Sequence, residues 1–148
     1  MALQRAASKL AQDIRRAQEM AIAAAECPPG TGCEGQIPNG YGIFLCITGG
    51  CNNPNQYILY ADMDDDQYFD NPEEIATSTF ESGIEISEID TGGNPKRIAI
   101  NFKPPDPEVK LKFAPGLGQE VDNATITLSF GPWSKHISVN KAGLIEVD

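Results

Sequence analysis

The sequence is short of cations. It carries 11 Lys and Arg against 21 Asp and Glu, with a single His and a single Trp, for a formal net charge of −10. No basic cluster is longer than Arg15-Arg16. A surface of that sign repels phosphate backbones and anionic headgroups, which counts against nucleic acid and membrane-surface binding. Long apolar runs are also missing. The most apolar N-terminal piece, Met20 to Ala25, is far too short to span a bilayer. Arg5, Lys9 and Asp13 break up the first twenty residues, which therefore do not read as a secretory signal.

Signatures of catalysis are scarce. The lone histidine, His136, falls on the polar side of an alternating segment and reads as a surface residue. No serine sits in a nucleophile motif, and no Cys-His pair, phosphate-binding glycine loop or metalloprotease motif occurs. Paired carboxylates suit glycoside hydrolysis, but a chain with one tryptophan, Trp133, offers no aromatic cleft for a sugar. The expectation is a protein that is not an enzyme. Asn123-Ala124-Thr125 matches a glycosylation sequon, a match that chance supplies.

Cysteine, glycine and proline are present in quantity. Gly and Pro together make 25 of 148 residues, which points to many turns and short strands. Cys27, Cys33, Cys46 and Cys51 all fall within 25 residues. An even count in a small acidic chain suggests disulfides and an extracytoplasmic, oxidising compartment. Neighbour pairing would close CPPGTGC and CITGGC, each around a glycine-bearing turn. The alternatives are a four-thiolate zinc site, for which the 27 to 33 spacing is wide, and reduced buried cysteines.

Periodicity divides the chain once. Residues 2–26 read as one helix, with Leu3, Leu10, Ile14, Ala17 and Ala21 on one stripe and CPPG as the stop. No capping residue precedes the helix, so Met1 reads as a point inside a longer one. Beyond Cys27 the period becomes two. Nine strands are predicted, at 41–47, 56–62, 76–80, 84–89, 97–103, 108–113, 124–130, 135–140 and 144–147, the first two forming a hairpin. Ile98, Ile100 and Phe102 alternate with polar residues, as do Val109, Leu111 and Phe113, so one face of each strand should be wet. The fold class is α+β. A single domain over 1–148 comprises an N-terminal amphipathic helix (1–26) packed on a mostly antiparallel, two-sheet β-rich part (27–148).

The stretch ASKLAQDIRRAQEMAIAA resembles the second half of the long N-terminal helix of type IV pilin-like proteins. It is most similar to the minor pseudopilins of the general secretion pathway protein H group and related minor pilins. Leu10, Asp13, Arg15 or Arg16, Ala17 and Gln18 stand where that group has Leu, an acid, Arg and Ala-Gln. KHISVNKAGLIEVD, with Asn140 and Gly143, resembles its C-terminal strand and turn, and GYGIFL with YILYADMDDDQYFD its early hairpin. The family's Gly-Phe-Thr-Leu-Ile-Glu type cleavage site and apolar stretch do not occur in these residues and are expected upstream. The resemblance implies a structural subunit of a type IV pilus-like fibre or type II secretion pseudopilus. A prepilin peptidase would cleave and methylate it. It would meet other subunits through the helix and reach the inner membrane only through the upstream segment. The competing expectation is a secreted, calcium-dependent β-rich binding module with no fibre role.

One stretch stands apart. Asp62 to Glu74, DMDDDQYFDNPEE, holds seven carboxylates in thirteen residues and no cation. Numbered from Asp62, the ligand positions of a twelve-residue calcium loop fall on Asp62, Asp64, Asp66, Tyr68 (through its carbonyl), Asp70 and Glu73. Gln67 stands where such a loop needs glycine, and a strand rather than a helix leads in. Calcium is the expected cation, and several pilin-like proteins carry calcium in their globular domains. The alternatives are a solvated acidic turn and a patch for a basic partner.

Overall fold

The computed structural model describes residues 2–51, 53–69, 73–103, 108–113 and 120–148. One helix, α1 (Ala2–Ile22), precedes ten strands. A six-stranded antiparallel sheet has the order β3-β2-β1-β5-β6-β7, built from β1 (Gly40–Cys46), β2 (Gln56–Asp62), β3 (Glu74–Thr79), β5 (Arg97–Lys103), β6 (Glu108–Phe113) and β7 (Glu120–Val121). A four-stranded antiparallel sheet has the order β10-β9-β8-β4, from β4 (Glu85–Asp90), β8 (Asn123–Phe130), β9 (Trp133–Asn140) and β10 (Ile145–Val147). The chain is thus α+β, a helix on two antiparallel sheets. The two-residue β7 adds to the nine predicted strands. The turn signals KPPDP and APGLG, which separate predicted strands, fall outside the described residues apart from Lys103.

The helix forms because its apolar residues recur on one face, and that face is consumed by its own sheets. Leu10, Ile14 and Ala17 are fully buried against Ile43 and Leu45 of β1, Ile98, Ile100 and Phe102 of β5, and Ile137 and Val139 of β9. Each fully buried Ile or Leu contributes about 1.5–3 kcal/mol. Small residues at Ala7, Ala11, Ala17 and Ala21, all at or near zero exposure, let the sheets approach the helix backbone. Polar ties fix its rotation. Asp13 accepts from Tyr57 Oη at 2.5 Å and from Lys9 Nζ at 2.7 Å. Arg15 donates to the Ile145 carbonyl at 3.0 Å, and Gln18 to that of Gly143 at 3.5 Å.

The helix ends four residues before the predicted stop. Ala24 adopts φ 49°, its N–H turns back to Ala21 O, and the Ala25 N–H reaches Met20 O at 3.0 Å. That is the left-handed close that glycine usually supplies. CPPG therefore follows a helix that has already stopped. Beyond it Cys27 bonds to Cys33, and in the β1–β2 connection Cys46 bonds to Cys51. With all four sulfurs so used, no thiolate remains for zinc. Two disulfides fit an oxidising, extracytoplasmic compartment. Among the described residues no helix is long and apolar enough to cross a membrane.

A second, smaller core lies on the far side of the six-stranded sheet. Tyr60, Ala99 and Tyr68 are buried there, with Phe44, Ile58 and Phe69 packed around them. The sheet face expected to be wet is covered where the acidic loop folds back over it. Asn101 on β5 is fully buried and Lys112 on β6 nearly so.

Candidate metal site in the acidic loop

Strand β2 delivers Asp62 to the outer face of the sheet, opposite Gly40 of β1. The chain then turns through two residues with left-handed backbones, Asp65 at φ 58° and Gln67 at φ 57°. Gln67 occupies the position where a calcium loop has glycine, and it adopts the conformation for which glycine is used there. Its side-chain amide holds that turn by donating to the Asp65 carbonyl and carboxylate, both at 2.7 Å. Two rings then clamp the loop to the sheet. Tyr68 meets Phe44 edge-on at 5.6 Å, and Phe69 lies 5.2 Å from Phe44 and 5.6 Å from Tyr60. Lys112 rises from β6 and donates to the Asp66 carbonyl at 3.0 Å and to Gln67 Oε1 at 3.2 Å. Lys103 of β5 pairs with Asp65 at 3.0 Å, a largely exposed bridge of little energetic weight.

Folding brings four carboxylates together. Asp62, Asp64, Asp66 and Glu73 each place an oxygen within 4.8 Å of the others, a group that could hold a metal ion. Asp62 is 1% exposed and Glu73 4%, so the purely solvated turn does not describe them, although Asp64 and Asp65 do face water. Backbone N–H groups shape the cluster. Asp62 accepts from Gln67 N at 2.9 Å and Asp66 N at 3.3 Å, Asp66 from Tyr68 N at 2.9 Å, and Glu73 from Met63 N at 2.7 Å. The Asp62 carboxyl is pushed up to about 6, chiefly by burial, with the neighbouring Asp64 and Asp66 adding to it and the Gln67 N–H opposing. Hard divalent cations favour such oxygen-only sets.

Of the six positions singled out by spacing, four meet. Tyr68 turns its ring into the aromatic cluster and its N–H to Asp66, and Asp70 lies outside the described residues. Spacing missed a buried polar pair on the same sheet face. Tyr60 and Asn101 flank Gly42 on the two neighbouring strands, and the Asn101 amide donates to Tyr60 Oη at 3.0 Å across it. Gly42 is required for this, since a Cβ there would stand 2.6 Å from both Tyr60 Oη and the Ile100 carbonyl. Burial and the Asp62, Glu73 and Asp66 carboxylates hold the Tyr60 phenol well above its ordinary range. The available signal was Tyr68-Phe69, two rings inside an acidic run that would be wasted on a loop left in water. His136, the lone histidine, is half-buried on β9 and bonds Thr127 Oγ1 at 3.0 Å. No family model matches this chain, and neither a curated protein nor a solved structure does.

Proposed function

We propose that the chain is the extracytoplasmic domain of a structural subunit, a minor pilin or pseudopilin of a type IV pilus-like fibre or type II secretion pseudopilus, and that its acidic loop takes calcium. The observation that carries the subunit reading is the union of helix and C-terminal turn. Two of the helix positions on which the resemblance rests, Arg15 and Gln18, bond to its C-terminal segment. Arg15 and Gln18 of the helix grip the backbone of Ile145 and Gly143. Asn140 closes the same turn by accepting from Ala142 and Leu144 N–H at 2.9 and 3.1 Å. The Arg15 and Gln18 bonds join the helix to the C-terminal turn across more than 120 residues of sequence, which supports the reading.

The helix has consumed its apolar face within its own domain. Contacts with other subunits over this segment therefore fall to its outward residues, among them Gln4, Gln12 and Arg16. Calcium is supported by the buried Asp62 and Glu73 within an all-oxygen set. It would brace the loop against the sheet rather than take part in a reaction. A second reading, a secreted calcium-dependent binding module, draws on the β8–β9 hairpin tip, where Trp133 is 64% and Phe130 44% exposed. The codons upstream of Met1 separate the two. A prepilin cleavage site followed by about twenty apolar residues, enough to span a bilayer, supports the subunit. A plain secretory signal there refutes it.

A further inference from the structure

We infer that the cation site extends through the loop into the sheet, with the side-chain oxygen of Asn101 as its neutral floor ligand. This rests on the calcium reading above. Asn101 is fully buried, and its Oδ1 is without a hydrogen-bond partner, while its amide N–H is committed to Tyr60 Oη. Buried acceptors are almost always satisfied, so an orphan of this kind marks a group that something else completes. Its direction is given by the sheet. Oδ1 stands 3.0 Å from the point where a Cβ of Gly40 would lie, and Gly40 is the cross-strand partner of Asp62. With a side-chain period of two, Gly40, Asp62 and Asn101 share the outer face, and only a glycine separates the amide oxygen from the Asp62 row.

An acceptor turned toward carboxylates is repelled unless a donor or a cation lies between. The nearby ammonium groups do not complete it: Lys112 Nζ donates to Asp66 O and Gln67 Oε1, Lys103 pairs with Asp65, and Lys110, the cross-strand neighbour of Asn101, pairs with Glu120. Calcium does serve, since it takes six to eight oxygens and accepts amide carbonyls beside carboxylates. Asn101 then supplies an oxygen without adding charge to a site already rich in it. It also links the loop to β5, two strands away from β2.

The test is a calorimetric calcium titration of the EDTA-stripped chain as wild type, Asn101→Ala and Asn101→Asp, with a melt in EDTA to establish that each variant is folded. Loss of a group that merely orients a metal's ligands weakens affinity roughly 10–100-fold, and a loss of at least that size is expected for Asn101→Ala. Asn101→Asp keeps an oxygen in place and should bind at least as tightly as wild type. Wild-type affinity in Asn101→Ala overturns the inference and leaves the calcium reading standing. An affinity of Asn101→Asp well below wild type also overturns it, because the amide nitrogen or a bridging water is then what faces Asp62. Should Asn101→Ala not fold, Asn101→Asp decides alone. Absence of calcium binding by the wild type removes both readings together.

Discussion

Burying Asp62 costs stability in a way that pH exposes. Its carboxyl rises from 3.8 to about 6 on folding. Between those values the native state holds a proton that the unfolded chain has released. Stability from this group is therefore greatest below about pH 4 and falls as pH rises through 6. Two pKa units correspond to about 3 kcal/mol. In a domain of this size that is roughly 6–12 °C in melting temperature. The assay is a series of thermal melts in EDTA from pH 4 to 7.5, comparing wild type with Asp62→Asn. The amide cannot ionise, so the difference cancels distant carboxylates and reports Asp62 together with its coupling to Asp64 and Asp66. Wild type should lose about 3 kcal/mol relative to the variant across that range. Millimolar calcium should invert the trend, because the ion binds the carboxylate and competes with the proton. A difference that stays flat with pH in EDTA would refute the reasoning, since it would mean that the Asp62 carboxylate is as well solvated folded as unfolded.

Calcium at a hundredfold excess over its Kd should add about 2.7 kcal/mol, and Asp62→Asn with Asp66→Asn should abolish the calcium-induced rise in melting temperature. Ala24→Gly should stabilise by about 0.5–1 kcal/mol by relieving the left-handed alanine at the helix end, read by denaturant titration with an unchanged m-value. Gly42→Ala should cost about 3 kcal/mol or fail to fold, because the new methyl meets Tyr60 Oη and the Ile100 carbonyl; wild-type stability would show that the two strands can part there. Reducing the disulfides should cost about 2 kcal/mol for each short loop closed, seen as a lower melting temperature in dithiothreitol.

What was legible in the sequence was local. The stripe through Leu10, Ile14 and Ala17 identifies the helix, and alternation such as Ile98-Ile100-Phe102 identifies strands, because side-chain direction follows from backbone period alone. The helix end was not legible. Alanine is the best helix former, and nothing in AIAAAEC announces that Ala24 leaves the helix. The outer face of β5 and β6 was misread for a related reason. Ala99, Asn101 and Lys112 sit at the polar beats of their strands, and only a distant loop folding back over them makes them buried. In the candidate site the spacing found Asp62, Asp64, Asp66 and Glu73, since alternate residues of a tight loop point inward together. It could not find Asn101, which reaches the site through strand pairing.

Gln67 shows how the loop is held despite its charge. A non-glycine residue in the left-handed region is disfavoured by roughly 1–2 kcal/mol, and Asp65 shares the penalty. Both residues are restrained from outside the turn, Gln67 by Lys112 and Asp65 by Lys103. Tyr68 and Phe69 pack their rings against Phe44 and Tyr60. These contacts bring the carboxylates together; they do not relieve the repulsion among them. The burial of Asp62 costs about 3 kcal/mol at neutral pH, and a divalent ion at a hundredfold excess over Kd returns about 2.7 kcal/mol. An ion held by the same carboxylates would offset that cost. In an extracytoplasmic protein that offset would make the docked loop conditional on the ion. Limited proteolysis should then cut between Asp62 and Glu74 in EDTA and spare the bond in millimolar calcium, whereas cleavage at equal rates in both would show that the rings and Lys112 suffice.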